Sequence, residues 1–215
     1  MGRHWAKVIV ELRKRGYDKL YAVENPRTSL QDDTRRTQQM VKQVDGPVLL
    51  VGHSYGGAVI TETGDLPNVV GLVYVAAFAP DAGESVGQIS EQPPPAYFDN
   101  IAPDSGGYLW IKQDKFSESF TQDLPDDETL VMAVTQKAPL GSTFGDAVST
   151  PAWKSKCLVP GVDRGPHDPP GQRPPDGAAD EPRKIIELDA GHASLASQPT
   201  AIADLIEEAV AELGG

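Results

Sequence analysis

Two residues stand where their type and surroundings could do covalent chemistry. The first is Ser54, in Gly52-His53-Ser54-Tyr55-Gly56, between the apolar run Val48-Leu49-Leu50-Val51 and the small, apolar Gly57-Ala58-Val59-Ile60. A buried strand that turns sharply into a helix holds a serine in strained backbone geometry and pushes its hydroxyl out of the sheet. The chemistry implied is nucleophilic attack on an acyl carbon. The glycines at 52 and 56 are expected to give the turn its room, and the Tyr55 N–H, at the helix start, to face the place where an oxyanion forms. A glycine-rich turn with an incidental serine is the alternative, and both flanks of the pattern argue against it.

The second is His192, in Asp189-Ala190-Gly191-His192, just past Lys184 to Leu188, which reads as a strand. Parallel strands put their C-terminal ends together, so an imidazole beyond a late strand arrives at the edge from which the serine projects. A nucleophile early in the chain and a histidine near its end is also the order that a Gly-x-Ser-x-Gly turn requires. His192 is therefore the expected general base. His53, beside the serine, is expected to have a packing or loop role, and Asp189 to brace or cap its loop. His4 and His167 have no supporting context.

The elements that must position these groups alternate. Trp5, Val8, Ile9 and Leu12 have helical spacing, with Gly16 as a stop. Lys19 to Val23 reads as a short strand. Thr28 or Ser29 can cap a helix that carries Leu30, Thr34, Thr37, Val41 and Val44 inward, and Asp45-Gly46-Pro47 breaks it. The strand 48–51 and its turn follow, then a helix to about Thr63 and a strand from Val69 to Ala76. Pro199 opens a last helix with Ile202, Leu205, Ile206, Ala209 and Val210 on one face. This is the pattern of an α/β protein, a mostly parallel sheet with helices on both faces in three layers. From 81 to 153 the alternation lapses. Tyr97, Phe98, Tyr108, Trp110, Phe116, Phe120 and Phe144 fall in this stretch, which reads as a helical cap over the serine. Short helices are expected at Phe116 to Phe120 and Glu128 to Val134, and the aromatics together predict an apolar pocket.

The chain of 215 residues suits one domain with an insertion. A net charge of −12 argues against nucleic acid or an anionic membrane as partner. Cys157 is the single cysteine, so no internal disulfide forms, and with four scattered histidines no closed zinc site and no metal are expected. No apolar run approaches the ~20 residues that cross a bilayer. Met1 to Trp5 lacks the apolar core of a signal peptide, which makes the cytoplasm the expected compartment.

The turn at Gly52 to Gly57, the first helix Trp5 to Gly16, Tyr74-Val75-Ala76-Ala77-Phe78-Ala79-Pro80 and Asp189 to His192 together resemble the α/β-hydrolase superfamily. Within it they are similar to small bacterial esterase-like members related to the plant methylesterase and hydroxynitrile lyase branch. The resemblance implies Ser54 as nucleophile, His192 as general base, the Tyr55 N–H as one oxyanion donor, a small ester as substrate and no cofactor. A hydroxynitrile-lyase-like reaction is the neighbouring possibility, but Lys112, Lys115 and Lys137 all read as surface charges. A catalytically impaired remnant or ligand-binding shell of the same fold is another.

Two departures from the family pattern bear on that last possibility. Members begin with an apolar strand ending in a His-Gly turn that supplies the second oxyanion donor. Here no such strand precedes Trp5, so either the natural start lies upstream of Met1 or the gene is truncated. Its loss is expected to leave the edge of the nucleophile strand uncovered. Proline and glycine also make up 11 of the 23 residues from Pro160 to Pro182, where the family places the strand and loop of its catalytic acid. A local frameshift around 157–182 is the expectation, since codons for Val159 to Pro170 can be chosen that encode a family-like strand and acid loop in a displaced frame. A genuine proline-rich surface loop is the alternative. The acid position then coincides with Gly165, leaving Asp163 as the nearest carboxylate that could substitute and Asp168 as the second.

Overall fold

In a computed structural model that describes residues 2–90, 96–158, 161–163 and 185–214, the chain opens on helix α1 (Gly2–Lys14). Val8 and Leu12 are buried, and Gly16 ends the helical region at φ +95°. Helix α2 (Leu30–Val41) begins where Ser29 Oγ accepts the Asp32 N–H at 3.0 Å, so Ser29 is the cap. Leu30, Thr34, Thr37 and Val41 are buried as their spacing demands, and Asp33 is buried with them.

Strand β1 (Val48–Ser54), helix α3 (Gly56–Thr63) and strand β2 (Val69–Ala77) form the centre of the protein. β1 and β2 are parallel, with Val51 opposite Val73 and His53 opposite Val75, after which Ser54 lies opposite Ala77. The skipped residue, Ala76, is a bulge with φ +41°. Both faces of β2 are covered. Leu72 and Tyr74 pack with Leu50, Ile60 and Trp153, while Val73 and Val75 pack with Val8, Leu12, Ile202 and Leu205. This two-residue alternation between opposite cores is what a central strand in a three-layer protein requires.

After β2 the chain leaves the sheet through α4 (Val86–Ser90), the antiparallel pair β3 (Ile101–Pro103) and β4 (Leu109–Ile111), α5 (Phe116–Phe120) and α6 (Asp126–Val134). Both short helices expected here are present. The β3–β4 pair was not legible beforehand. Its turn is set by Asp104, whose Oδ1 accepts the N–H groups of Gly106 and Tyr108 at 2.8 and 3.0 Å, with Gly107 at φ +81°.

The chain returns to the sheet in β5 (Cys157–Leu158), β6 (Gly161–Asp163) and β7 (Ile185–Glu187), then ends in α7 (Ser194–Ser197) and α8 (Pro199–Leu213). β5 and β6 both pair with β2, and β7 with β6, all parallel. Helices α1 and α8 cover one face of the sheet, and α2 and α3 the other. Ile202, Leu205, Ile206 and Ala209 of α8 are buried, whereas Val210 is 38% exposed and does not join them.

The strand expected over Lys19 to Val23 is not formed. A strand needs a hydrogen-bonding neighbour, and a cavity runs between this segment and β1. Among the described residues β1 pairs with β2 alone. No described helix is long and apolar enough to cross a membrane.

Candidate active site

At the end of β1 the backbone of Ser54 has φ +54°, a left-handed conformation that a residue with a side chain rarely adopts. Close packing enforces it. A Cβ at Gly52 would lie 2.7 Å from the Gly56 carbonyl oxygen, and one at Gly57 only 2.1 Å from that of Phe78. The Ser54 carbonyl in turn accepts the Phe78 N–H at 3.2 Å, tying the turn to the end of β2. The room is therefore needed at 52 and 57, not at 52 and 56. A Cβ on Gly56 meets nothing within 4 Å, and Gly56 matters as the backbone that position 52 must clear. Tyr55 follows in helical geometry, φ −52° and ψ −28°, so its N–H stands at the start of α3 among the donors a helix leaves unused.

His192 is buried and lines the same cavity as Ser54, a space of about 1020 Å³. Its loop is held from three sides. His53 Nε2 bonds the His192 carbonyl oxygen at 2.8 Å, the Ala193 N–H donates to the Phe120 carbonyl at 3.1 Å, and the Gly191 N–H donates to Asp123 Oδ2 at 2.9 Å. The loop role of His53 is thus specific, since its ring also lies 4.8 Å from that of His192. Bracing falls to Asp123 rather than Asp189, which is exposed. Sequence spacing could not reveal Asp123, because it comes from the segment between β2 and β5, far from His192 in the chain.

His4 was also missed. Its ring lies 5.2 Å from Phe120, and it lines the cavity. Burial above all, with the charge of Arg27 and the nearness of His192, lowers its pKa from 6.5 to about 4. Burial and His192 likewise push His53 well below the ordinary imidazole range. Tyr97, Phe98, Phe116, Phe120 and Phe144 contribute to the cavity wall. Trp110 stands apart, 39% exposed, with its Nε1 donating to Asp104 Oδ2 at 3.0 Å.

Of the lysines read as surface charges, Lys137 lines the cavity and pairs with Glu24 at 3.0 Å. Lys112 Nζ donates to the Asp99 carbonyl at 2.9 Å and Lys115 pairs with Glu118 at 3.2 Å, both on the outside. Asp163 ends β6, in register with Glu187 of β7, so its backbone lies at the same sheet edge as Ser54. Its side chain, Gly165, Asp168 and most of 157–182 lie outside the described residues. Among the described residues no three His, Cys, Asp or Glu side chains converge to hold a metal ion.

The chain belongs to the alpha/beta hydrolase family, whose model matches residues 2–205. Its fold is similar to that of a pyrethroid hydrolase, with a TM-score of 0.77 and 20% identity over 98% of this chain and 92% of that one. A methylesterase from Arabidopsis superposes with a TM-score of 0.72 and 16% identity, covering 97% of this chain and 93% of that one. Over 41 residues the chain is 54% identical to a carbendazim hydrolyzing esterase of Nocardioides sp. (strain SG-4G). That match spans 18% of this chain and 17% of the relative.

The packing of the turn makes a contrast that urea unfolding can check. Gly57→Ala is expected to lose roughly 3 kcal/mol or more, because backbone must move to admit the methyl. Gly56→Ala is expected to stay within about 1 kcal/mol of the parent. Equal losses would show that the clearance at 57 does not set the turn.

The half-buried imidazoles make a second. An unfolded His4 takes up its proton near pH 6.5, whereas the folded one waits until about pH 4. Between these values the unfolded chain binds more protons, so stability is full above pH 6.5 and falls as the pH drops toward 4. The slope is about 1.4 kcal/mol per pH unit for each such group. His4→Phe should flatten the fall in unfolding free energy between pH 6.5 and 4.5, and an unchanged slope would contradict it.

Proposed function

We propose that this chain is a serine hydrolase acting on carboxylic esters through an acyl-enzyme. The observation that carries the reading is the left-handed backbone of Ser54 at the end of β1, with Ser54 and His192 lining one cavity. Ser54 Oγ attacks the ester carbonyl carbon while His192 takes its proton. The negative charge that collects on the carbonyl oxygen is met by the Tyr55 N–H at the positive end of α3. As the carbon–oxygen bond breaks, the proton passes from His192 to the leaving alcohol. Water then repeats the sequence on the acyl-enzyme and regenerates Ser54. No cofactor enters any step.

In this reading Asp163 is the carboxylate that holds the His192 imidazole in its productive tautomer, a role its backbone position at the end of β6 permits. The segment 81–153 serves as the cap of a single domain, and its aromatic side chains favour a small apolar acyl or alcohol group. The tethers on the His192 loop supply the rigidity that general base catalysis needs, because the imidazole must stay within hydrogen-bond reach of the hydroxyl.

Hydrolysis of 4-nitrophenyl acetate tests this. Ser54→Ala and His192→Gln should each lower kcat/KM by roughly 10³-fold or more while the unfolding midpoint changes little. A Ser54→Ala protein that retains the parent rate would end the proposal.

A further inference from the structure

Among the described residues three imidazoles line the cavity, those of His4, His53 and His192. His192 is the general base of the proposed reaction, and His53 is tied to the His192 carbonyl, 2.8 Å from its Nε2. His4 has neither task. It precedes Val8 and Leu12 by four and eight residues, on the row of α1 that turns inward, so the helix carries it to the cavity wall. Lys7, on the same helix, pairs with Glu128 of α6 at 2.7 Å.

The His4 ring lies 5.2 Å from that of Phe120, tilted by 49°, and among the described residues neither of its nitrogens makes a hydrogen bond. Burial above all keeps it uncharged at neutral pH, its pKa lowered to about 4. A neutral imidazole carries one N–H donor and one acceptor. A half-buried one against an aromatic wall forgoes hydrogen bonds that it would make in water. An oxygen of a bound molecule restores them.

Phe120 decides which part of the substrate that is. Its ring also meets His192 in a T-shaped contact, 4.9 Å between centroids. His192 hands its proton to the leaving alcohol, so the leaving oxygen lies against His192. A leaving group that continues from there along Phe120 comes to His4.

Resting on the hydrolase reading above, we propose that His4 is a specificity-determining residue for the leaving group, selecting aryl esters whose phenol ring lies along Phe120 and carries a hydrogen-bonding oxygen at its far end. A site built around such a bond rejects the analogue that lacks the oxygen, because the imidazole is then left unpaired beside it.

Binding separates this proposal from the hydrolase reading. Ser54→Ala protein is titrated calorimetrically with 4-acetylphenyl acetate and with 4-isopropylphenyl acetate, which have nearly the same shape and differ in the far carbonyl, so that turnover does not enter. The ketone should bind about tenfold more tightly. In the double variant with His4→Phe the preference should vanish or reverse, and with His4→Gln, whose amide keeps a donor and an acceptor, it should be partly kept. If His4 only packs against Phe120, its replacement by Phe leaves the preference as it was. That result overturns the proposal. So does equal or tighter binding of the isopropyl ester by the Ser54→Ala parent, or binding of neither ester, comparisons that need no His4 variant to fold. A preference that stands while the protein with Ser54 intact hydrolyses neither ester would instead count against the hydrolase reading alone.

Discussion

The structure turns on a close approach of three backbones. β1, α3 and the end of β2 meet where Gly52 faces Gly56 and Gly57 faces Phe78, with clearances that admit no β-carbon. This contact leaves Ser54 no ordinary backbone conformation. Strain of this kind persists only when the surroundings over-determine it. Here they include the Ser54 to Phe78 hydrogen bond, the bulge at Ala76 and a β2 whose two faces are buried in separate cores. Two left-handed residues, Ser54 and Ala76, lie at the ends of neighbouring strands, one turning the chain into α3 and the other starting the path out of the sheet.

The segment between β2 and β5 fixes the loop of His192. Phe120 and Asp123 bind the backbone on either side of His192, and the Phe120 ring and the imidazole meet in a T-shaped contact at 4.9 Å between centroids. His53, one residue before the serine, holds the His192 carbonyl. A movement of this segment is therefore felt at His192 through direct hydrogen bonds, and its Lys137 and Leu140 are tied to Arg27 at the other wall of the cavity.

Much of this was legible in the sequence because it depends on local pattern. The turn around Ser54, the limits of α3, the Ser29 cap and the buried face of α8 follow from spacing and residue type, and the resemblance carried by the Gly-x-Ser-x-Gly turn named the family. What spacing missed depends on contacts between distant segments. Asp123, Arg27 and His4 acquire their places only through contacts between segments far apart in the chain, and no periodicity marks them. Lys19 to Val23 has the composition of a strand but faces a cavity in place of a pairing neighbour, so composition alone misled. The glycine at 56 looked mechanical because the motif includes it, whereas the clearance lies one residue later, where α3 presses on Phe78.

The central claim is that the strained serine is the reactive one. Incubating the folded protein with a serine-directed fluorophosphonate, then measuring intact mass and mapping the labelled peptide, tests it directly. The account predicts a single adduct, carried by Ser54. A folded protein that takes no label, or takes it on another residue, would contradict the account.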